Sequence, residues 1–118
     1  MDNITQAVGH TPIVRLNHVA RDVASEIFVK LEYMNPGGSM KDRVAMQIIR
    51  DAEDKGLLKP GGVIVEATSG NTGMGLAMVG ATRGYSCIFV MPAKMSHEKV
   101  ASLRAFGARV VICPTAVE

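Results

Sequence analysis

Short apolar runs alternate with helix-like segments along most of this sequence, and that alternation restricts the folds that the chain can adopt. The runs IFVKL (27–31), VIVEA (63–67), CIFVM (87–91) and RVVIC (109–113) are largely continuous in their apolar residues. Continuous rather than alternating apolar runs are typical of strands that are covered on both faces of a parallel sheet.

Helices are predicted between these runs. Residues 40–55 carry apolar side chains with a helical period, residues 72–83 form a second helix, and a third begins after its cap residue Ser96. The side chains expected to face inward are Val44, Ile48, Ile49, Ala52, Val100 and Leu103. This order predicts an α/β fold: a parallel open sheet with flanking helices in three α/β/α layers.

Two glycine-containing loops, NPGGS (35–39) and TSGNT (68–72), each connect a predicted strand to a predicted helix. Ligands of open parallel sheets bind at the carboxyl ends of the strands, where both loops are expected to lie. The two loops are therefore predicted to face one shared crevice.

The segment TSGNTG (68–73) has the residue types of an anion site. At a helix N-terminus, its backbone N–H groups and short side chains would favour a carboxylate or a phosphate. The same residues also suit an ordinary capped helix with a tight turn, and the loop alone leaves both interpretations open. A nucleotide site is disfavoured, because no GxxxxGK[ST] string occurs and a GxGxxG match beginning at Gly73 has Met78 in place of its third glycine.

Lys41 is predicted in the first turn of a helix, where Ser39 and Asp42 form a capping-box pattern. A cation is unfavourable at this end of a helix, but a nucleophilic lysine gains from it, since an amine attacks a carbonyl only when neutral. A solvated lysine on a charged face with Asp42 and Arg43 is the alternative, and the pattern leaves both open. Arg43 is expected to form a structural ion pair with Glu32 or Asp42.

Composition argues against several other classes of protein. The formal net charge is only +2, tryptophan is absent, and no segment has the pattern of a signal peptide or a membrane span. Neither nucleic acid nor a membrane surface is indicated as a partner. The histidines are not clustered and the cysteines lack CxxC spacing, so no metal site is predicted and Cys87 and Cys113 are expected to be buried.

Several longer strings resemble one enzyme family. NPGGSMKDR (35–43) and EATSGNTGMGLA (66–77), at their spacing, resemble the pyridoxal-phosphate enzymes of fold type II, and more narrowly the cysteine synthase and cystathionine β-synthase family. DAEDKGLLKPGG, RGYSCIFVMPAKMSHEKVASLRAFGA and VVICPT are similar to cystathionine β-synthases, especially bacterial ones, and TPIVRL also fits the family. Serine and threonine dehydratases of this fold have strings similar to SFKxR and SAGNH at these two places, where this sequence has SMKDR and TSGNT. The resemblance therefore favours β-replacement enzymes.

The resemblance implies a role for each matched residue. Lys41 matches the lysine that holds the cofactor, pyridoxal 5′-phosphate, as an internal Schiff base and moves the α-proton. Asn71 matches the asparagine that hydrogen-bonds the ring hydroxyl oxygen of the cofactor. The residues implied to bind the substrate carboxylate are Thr68, Ser69, Gly70, Asn71 and Thr72.

The activity implied is a β-replacement on serine or an activated serine by a thiol. Cystathionine from serine and homocysteine is the first expectation, cysteine from O-acetylserine and sulfide the second, and a truncated non-catalytic binding module the third. In the family, the glycine-rich loop that binds the cofactor phosphate follows the residues matched here. The larger domain that carries it is therefore expected to be missing from these 118 residues. Residues 1–26 would pack on that domain and 27–118 would form the small domain, with the intact enzyme a cytoplasmic homodimer that acts on an amino acid and a thiol.

Overall fold

A three-stranded parallel sheet with helices on one face forms the centre of the chain, which the computed structural model describes at residues 1–68 and 70–114. Short 3-10 helices cover Ile4–Ala7 and Glu32–Met34. The strands and α-helices in chain order are β1 (Ile13–Arg15), β2 (Phe28–Lys30), α1 (Lys41–Asp54), β3 (Val63–Ala67), α2 (Asn71–Arg83), β4 (Ser86–Pro92), α3 (His97–Ala105) and β5 (Arg109–Cys113).

The parallel sheet has the strand order β3–β4–β5. In its register Ile64 lies beside Cys87, and Phe89 lies beside Val110. Helix α2 packs on β4, α3 packs on β5, and the two helices contact each other, so they share one face of the sheet. The predicted α/β fold with a parallel sheet and flanking helices is confirmed.

Helices cover only one face of this sheet within the described residues. Cys87, Phe89 and Met91 alternate along β4 toward the helices and are buried. On the opposite face, Val63 and Val65 are 54% and 63% exposed. The described part of the chain therefore supplies two of the three layers that were expected.

The first predicted strand is not part of the parallel sheet. The run at 27–31 forms β2, which pairs antiparallel with β1 in a separate two-stranded sheet, with Val14 opposite Val29. The prediction of a single sheet was wrong at this point, because an apolar run indicates a strand without indicating its partner. Helix α1, which follows β2, packs on α2 and does not return the chain to a parallel neighbour of β2.

Helix α1 buries a slightly different face from the one predicted. Ala45 and Ile49 are buried as the helix packs on α2, whereas Ile48 is 49% exposed, so the prediction for Ile48 was wrong. The contact is close because α2 presents a glycine: an ideal Cβ at Gly75 would lie 2.9 Å from the Cβ of Ala45 and 3.0 Å from the carbonyl oxygen of Lys41. This crossing places the start of α1 against the first turns of α2.

The helix starts are capped in two different ways. Ser96 accepts a hydrogen bond from the amide of Lys99, as predicted. At the start of α1, the Ser39 hydroxyl accepts from the Lys41 amide at 3.1 Å, but Asp42 accepts from the amide of Gly37. The predicted capping box is therefore not formed, because the glycine turn brings its own amide to the Asp42 carboxylate.

Polar contacts tie the N-terminal segment to α1. Arg43 donates to the two carboxylate oxygens of Glu32 at 2.8 and 2.9 Å, which is the predicted ion pair, and to the carbonyl oxygen of Gly9 at 2.9 Å. The buried side chain of Asn35 accepts from the Gly9 amide at 2.8 Å. Part of the segment 1–26 thus contacts α1, and its packing on a larger domain stays a prediction.

The two cysteines differ in exposure. Cys87 is buried, and its thiol lies 3.8 Å from the carbonyl oxygen of Leu76 in α2. Cys113, at the end of β5, is exposed, so its predicted burial was wrong. By the alternation of the strand, Cys113 lies on the face of the sheet that no described helix covers.

The helices of the described ranges are too short or too polar to span a lipid bilayer, and the longest of them, α1, has 14 residues.

Candidate functional site

A cleft of about 340 Å³ lies where β3 ends and where α1 and α2 begin. Lys41 lines it from α1, and Thr68, Gly70, Asn71 and Thr72 line it from the loop that starts α2. The second loop lines this cleft as predicted, but no residue of the first loop (35–39) does, and that side is represented by Lys41, two residues beyond it. Ser69, the remaining residue predicted for this site, lies outside the described residues.

The loop side of the cleft is organised by Thr68. Its hydroxyl oxygen accepts hydrogen bonds from the amides of Gly70 at 3.3 Å and Gly73 at 3.2 Å. Gly73 is required for this contact, since an ideal Cβ there would lie 2.4 Å from the Thr68 methyl carbon. Because the hydroxyl accepts both bonds, its proton is available to a ligand in the cleft.

Asn71 and Thr72 occupy the first turn of α2, at the positive end of the helix dipole. Their side chains make no hydrogen bond to any residue in the described ranges, and Gly70 precedes them without a side chain. The amide group of Asn71, the hydroxyl of Thr72 and the unpaired N–H groups of the helix start can therefore donate to an anion or to a carbonyl oxygen.

Lys41 is the first residue of α1 and is half-buried. Its amide is held by the Ser39 hydroxyl, and its carbonyl oxygen lies against Gly75. These contacts fix the backbone of Lys41 while its side chain lines the cleft. The residue therefore contributes a primary amine to the same cleft as a set of hydrogen-bond donors.

Two carboxyl groups at the first turn of α1, those of Glu32 and Asp42, have shifted pKa values. Hydrogen bonds, first from Arg43 and next from Thr11, lower the pKa of Glu32 to about 2. Burial raises the pKa of Asp42 above its usual 3.8, against the effect of the hydrogen bond from the Gly37 amide. Neither residue lines the cleft, so both act on the structure around Lys41 and not on a ligand directly.

Two ionisable residues near the cleft were missed by the sequence analysis. Glu66 lines the cleft from β3, on the same face of the strand as Ile64, and the alternation of the strand could have revealed it. The ammonium nitrogen of Lys99 in α3 lies 4.0 Å from the position that a Cβ of Gly70 would occupy. Only the packing of α3 beside α2 brings Lys99 there, so no local pattern could have revealed it.

The residues present fit one side of a carbonyl-bearing cofactor and its anionic substrate. The amine of Lys41 is suited to bond with a carbonyl carbon, and the Asn71 amide is suited to donate to an oxygen on the same group. The helix start at 70–72 is suited to a carboxylate. The fold and the site together define an α/β protein in which a half-buried lysine shares a cleft with a loop that is suited to bind an anion.

The chain belongs to the pyridoxal-phosphate dependent enzyme family, whose family model matches residues 4–118. Pyridoxal phosphate is the cofactor of that family, so the predicted family and its cofactor are confirmed. Among curated relatives, a cystathionine beta-synthase of Apis mellifera is 56% identical over 117 residues, covering 98% of this chain and 23% of the relative. A cysteine synthase of Staphylococcus aureus (strain Mu50) is 54% identical over 114 residues, covering 97% of this chain and 37% of the relative.

The chain is also similar to solved structures of whole enzymes. A hydrogen sulfide-producing enzyme from Fusobacterium nucleatum superposes with a TM-score of 0.91 at 43% identity, covering 98% of this chain and 38% of that one. An O-ureido-L-serine synthase superposes with a TM-score of 0.86 at 48% identity, covering 97% of this chain and 36% of that one. The chain thus spans well under half the length of the relatives that it matches.

Proposed function

We propose that this chain carries the lysine and the carboxylate-binding loop of an enzyme that replaces the β-substituent of serine, or of an activated serine, with a thiol. The observation that carries the proposal is the cleft that Lys41 shares with Thr68, Gly70, Asn71 and Thr72, in a chain of the pyridoxal-phosphate dependent family. Such chemistry needs an amine beside an anion site, and the residues that line this cleft are of the types suited to both roles.

When bound, pyridoxal phosphate supplies a conjugated ring that stabilises negative charge on the α-carbon of an amino acid. Nζ of Lys41 would bond to the cofactor's carbonyl carbon, and after displacement by the substrate it would accept and return the proton of the α-carbon. The side-chain amide of Asn71 would donate a hydrogen bond to the ring hydroxyl oxygen.

The loop at the start of α2 would bind the carboxylate of the amino acid. The Thr68 hydroxyl, the backbone at Gly70 and the Thr72 hydroxyl lie around the positive end of the helix dipole, where a carboxylate is favoured. Ser69 would take part by the resemblance alone. The loop would hold the substrate so that its α-carbon lies within reach of Lys41.

The formation of cystathionine from serine and homocysteine is the reaction that we place first, and cysteine synthesis from O-acetylserine and sulfide second. The two curated relatives support these reactions nearly equally, at 56% and 54% identity. For the intact enzyme we expect a cytoplasmic homodimer that acts on an amino acid and a thiol.

A chimera tests the proposed reaction directly. Residues 1–118 would replace the matching 37% of the Staphylococcus aureus cysteine synthase, and products would be measured with each pair of substrates. We expect the chimera to form cystathionine faster than the unmodified synthase does, and its Lys41→Ala variant to form neither product. Cysteine formation alone would favour the second reaction, and a folded chimera without either product would contradict the proposal.

An interaction module without catalytic activity is the second candidate, and the uncovered face of the parallel sheet supports it. That face exposes Val63 and Val65 on β3 and Val111 on β5, and the half-buried Ile88 and Val90 of the central strand β4 lie between them, so these side chains form an apolar patch across the sheet. Sedimentation analysis of the chain and of a Val65→Lys variant tests this candidate. Self-association that the substitution abolishes, in a chain that forms no bond between Lys41 and the cofactor, would favour the interaction module.

A further inference from the structure

The carboxyl group of Asp42 is buried immediately behind the cleft. The residue follows Lys41 in α1 and has no exposed surface. Its Oδ2 accepts a hydrogen bond from the Gly37 amide at 2.5 Å, and its Oδ1, also buried, has no partner among the described residues. Buried polar atoms are nearly always paired, so an unpaired carboxyl oxygen beside a reactive lysine calls for an explanation.

The glycine turn is folded directly onto this carboxyl group. An ideal Cβ at Gly37 would lie 2.3 Å from Oδ1 and 2.9 Å from Cγ of Asp42, so no other residue fits at this position without movement. Gly38 continues the turn with a φ of +81°, a conformation that favours glycine. The turn and the Asp42 side chain therefore form one packed unit.

Helix α2 closes the opposite side of the same turn of α1. An ideal Cβ at Gly75 would lie 3.0 Å from the carbonyl oxygen of Lys41 and 3.3 Å from Cα of Asp42. The first turn of α1 is thus enclosed between the glycine turn and α2. A shift of its backbone away from the glycine turn would break the hydrogen bond from the Gly37 amide, and the same shift would make it clash with α2 at Gly75.

We propose that Asp42 is a positioning residue for Lys41: its carboxyl group fastens the Gly37–Gly38 turn to the first turn of α1 and so fixes the backbone from which the Lys41 amine reaches the cleft. This inference rests on the proposed function, because it assigns a purpose to the placement of Lys41. Asp42 itself does not line the cleft and would touch neither cofactor nor substrate.

The electrostatic surroundings of Asp42 favour its neutral form. Burial is the main cause that raises the pKa of this carboxyl, and the charge of Glu32, from the 3-10 helix, adds to the effect. Helix α2 contributes Gly75 at this contact and hence no charge, while Lys41 and Arg43 flank Asp42 on α1 itself. Oδ2 can accept from the Gly37 amide whether or not Oδ1 carries a proton, so the link between the glycine turn and α1 does not depend on the charge of the carboxyl.

The test compares substitutions that keep or remove the acceptor oxygen. Asp42→Asn keeps an oxygen of the same shape, Asp42→Ala removes it, and Asp42→Leu removes it while keeping the volume. Asp54→Asn is the matched control, since Asp54 is exposed at the other end of α1. Each folded protein would be mixed with pyridoxal phosphate, so that a bond forms between Nζ and the aldehyde carbon with release of water. The bond would then be reduced with borohydride and mapped by mass spectrometry.

We expect Asp42→Ala and Asp42→Leu to slow bond formation at Lys41 by about tenfold relative to the exposed Lys55 of the same molecules, since small misplacements of a reacting group have large effects on rate. Hydrogen exchange of the Gly37 amide would accelerate in both. Asp42→Asn should restore the rate at Lys41 to within about twofold of wild type, because it keeps an oxygen that accepts from the Gly37 amide. Asp54→Asn should change none of these quantities.

A wild-type rate at Lys41 in Asp42→Ala and Asp42→Leu, with faster exchange at Gly37, would overturn the inference. If the wild-type chain forms no bond at Lys41, the proposed function fails separately, and nuclear Overhauser contacts between the Lys41 side chain and Thr72 decide the inference. Their loss in Asp42→Leu but not in Asp42→Asn would support the positioning role, and their persistence in both variants would overturn it.

Discussion

Gly75 of α2 lies directly against the carbonyl oxygen of Lys41: a β-carbon added to the glycine would be 3.0 Å from that oxygen. Because α2 has no side chain here, α1 can lie close enough for its first residue to reach the loop from which α2 begins. Lys41 and the loop at 68–72 therefore share a cleft through the packing of two helices, and not through neighbouring strands of one sheet.

Substituting Gly75 tests this close crossing. Replacing glycine by alanine in a helix interior normally stabilises it by about 1 kcal/mol, but overpacking a tight contact costs about 1–3 kcal/mol. Since the new methyl group would lie 2.9 Å from the Cβ of Ala45, Gly75→Ala is expected to lower the free energy of unfolding measured in urea. Ala81→Gly, at an exposed position of α2, controls for helix propensity and should cost about 1 kcal/mol. A Gly75→Ala variant more stable than wild type would show that the helices do not approach this closely.

The ion pair between Glu32 and Arg43 predicts a pH dependence of stability. Hydrogen bonds, chiefly from Arg43, lower the pKa of Glu32 from 4.5 to about 2 in the folded chain. A group with a lowered folded-state pKa stabilises the fold above its unfolded value and loses that contribution as the pH falls through the folded one. Glu32→Gln should therefore lower the urea midpoint at neutral pH. Its midpoint should approach that of the wild type as the pH falls from 4.5 toward about 2. The exposed Glu98→Gln variant is the control, and a difference between Glu32→Gln and wild type that is the same at every pH would contradict the assignment.

The two thiols should react at very different rates. Burial raises the pKa of Cys87, which both hides the thiol and disfavours the reactive thiolate, whereas Cys113 is exposed. A disulfide reagent in excess should label Cys113 at once and Cys87 only after urea is added. Cys113→Ser should abolish the fast phase and Cys87→Ser should leave it intact. A fast phase that persists in Cys113→Ser would mean that the region around α2 and β4 opens readily.

The sequence predicts the parallel sheet well because its signals are local. The runs at 63–67 and 109–113 coincide with β3 and β5. The glycine after each α-helix adopts the positive φ that ends a helix; Gly84, for example, has a φ of +75°. Strand, turn and helix cap are each specified by a few adjacent residues. Such features need no knowledge of distant contacts.

Features that depend on distant contacts were predicted less well. The run at 27–31 indicates a strand but cannot indicate that β1 is its partner. The sequence pattern is compatible with an exposed Asp42 on a charged helix face, yet the glycine turn and α2 bury the residue completely. In the site, the polar loop and Lys41 could be found from their helix-start patterns, whereas the approach of Lys99 to Gly70 depends on how α3 packs.

The most direct test of the central claim is the placement of pyridoxal phosphate on the lysines of this chain. The protein would be mixed with the cofactor, reduced with borohydride and digested, and the modified peptides would be quantified. Lys55, exposed just beyond the other end of α1, is the internal comparison, and Lys41→Ala is the control variant. We predict that Lys41 is modified well ahead of Lys55 and that the characteristic visible absorption is lost in Lys41→Ala. Equal modification of the two lysines would contradict the claim that the cleft between α1 and α2 selects and orients the Lys41 amine.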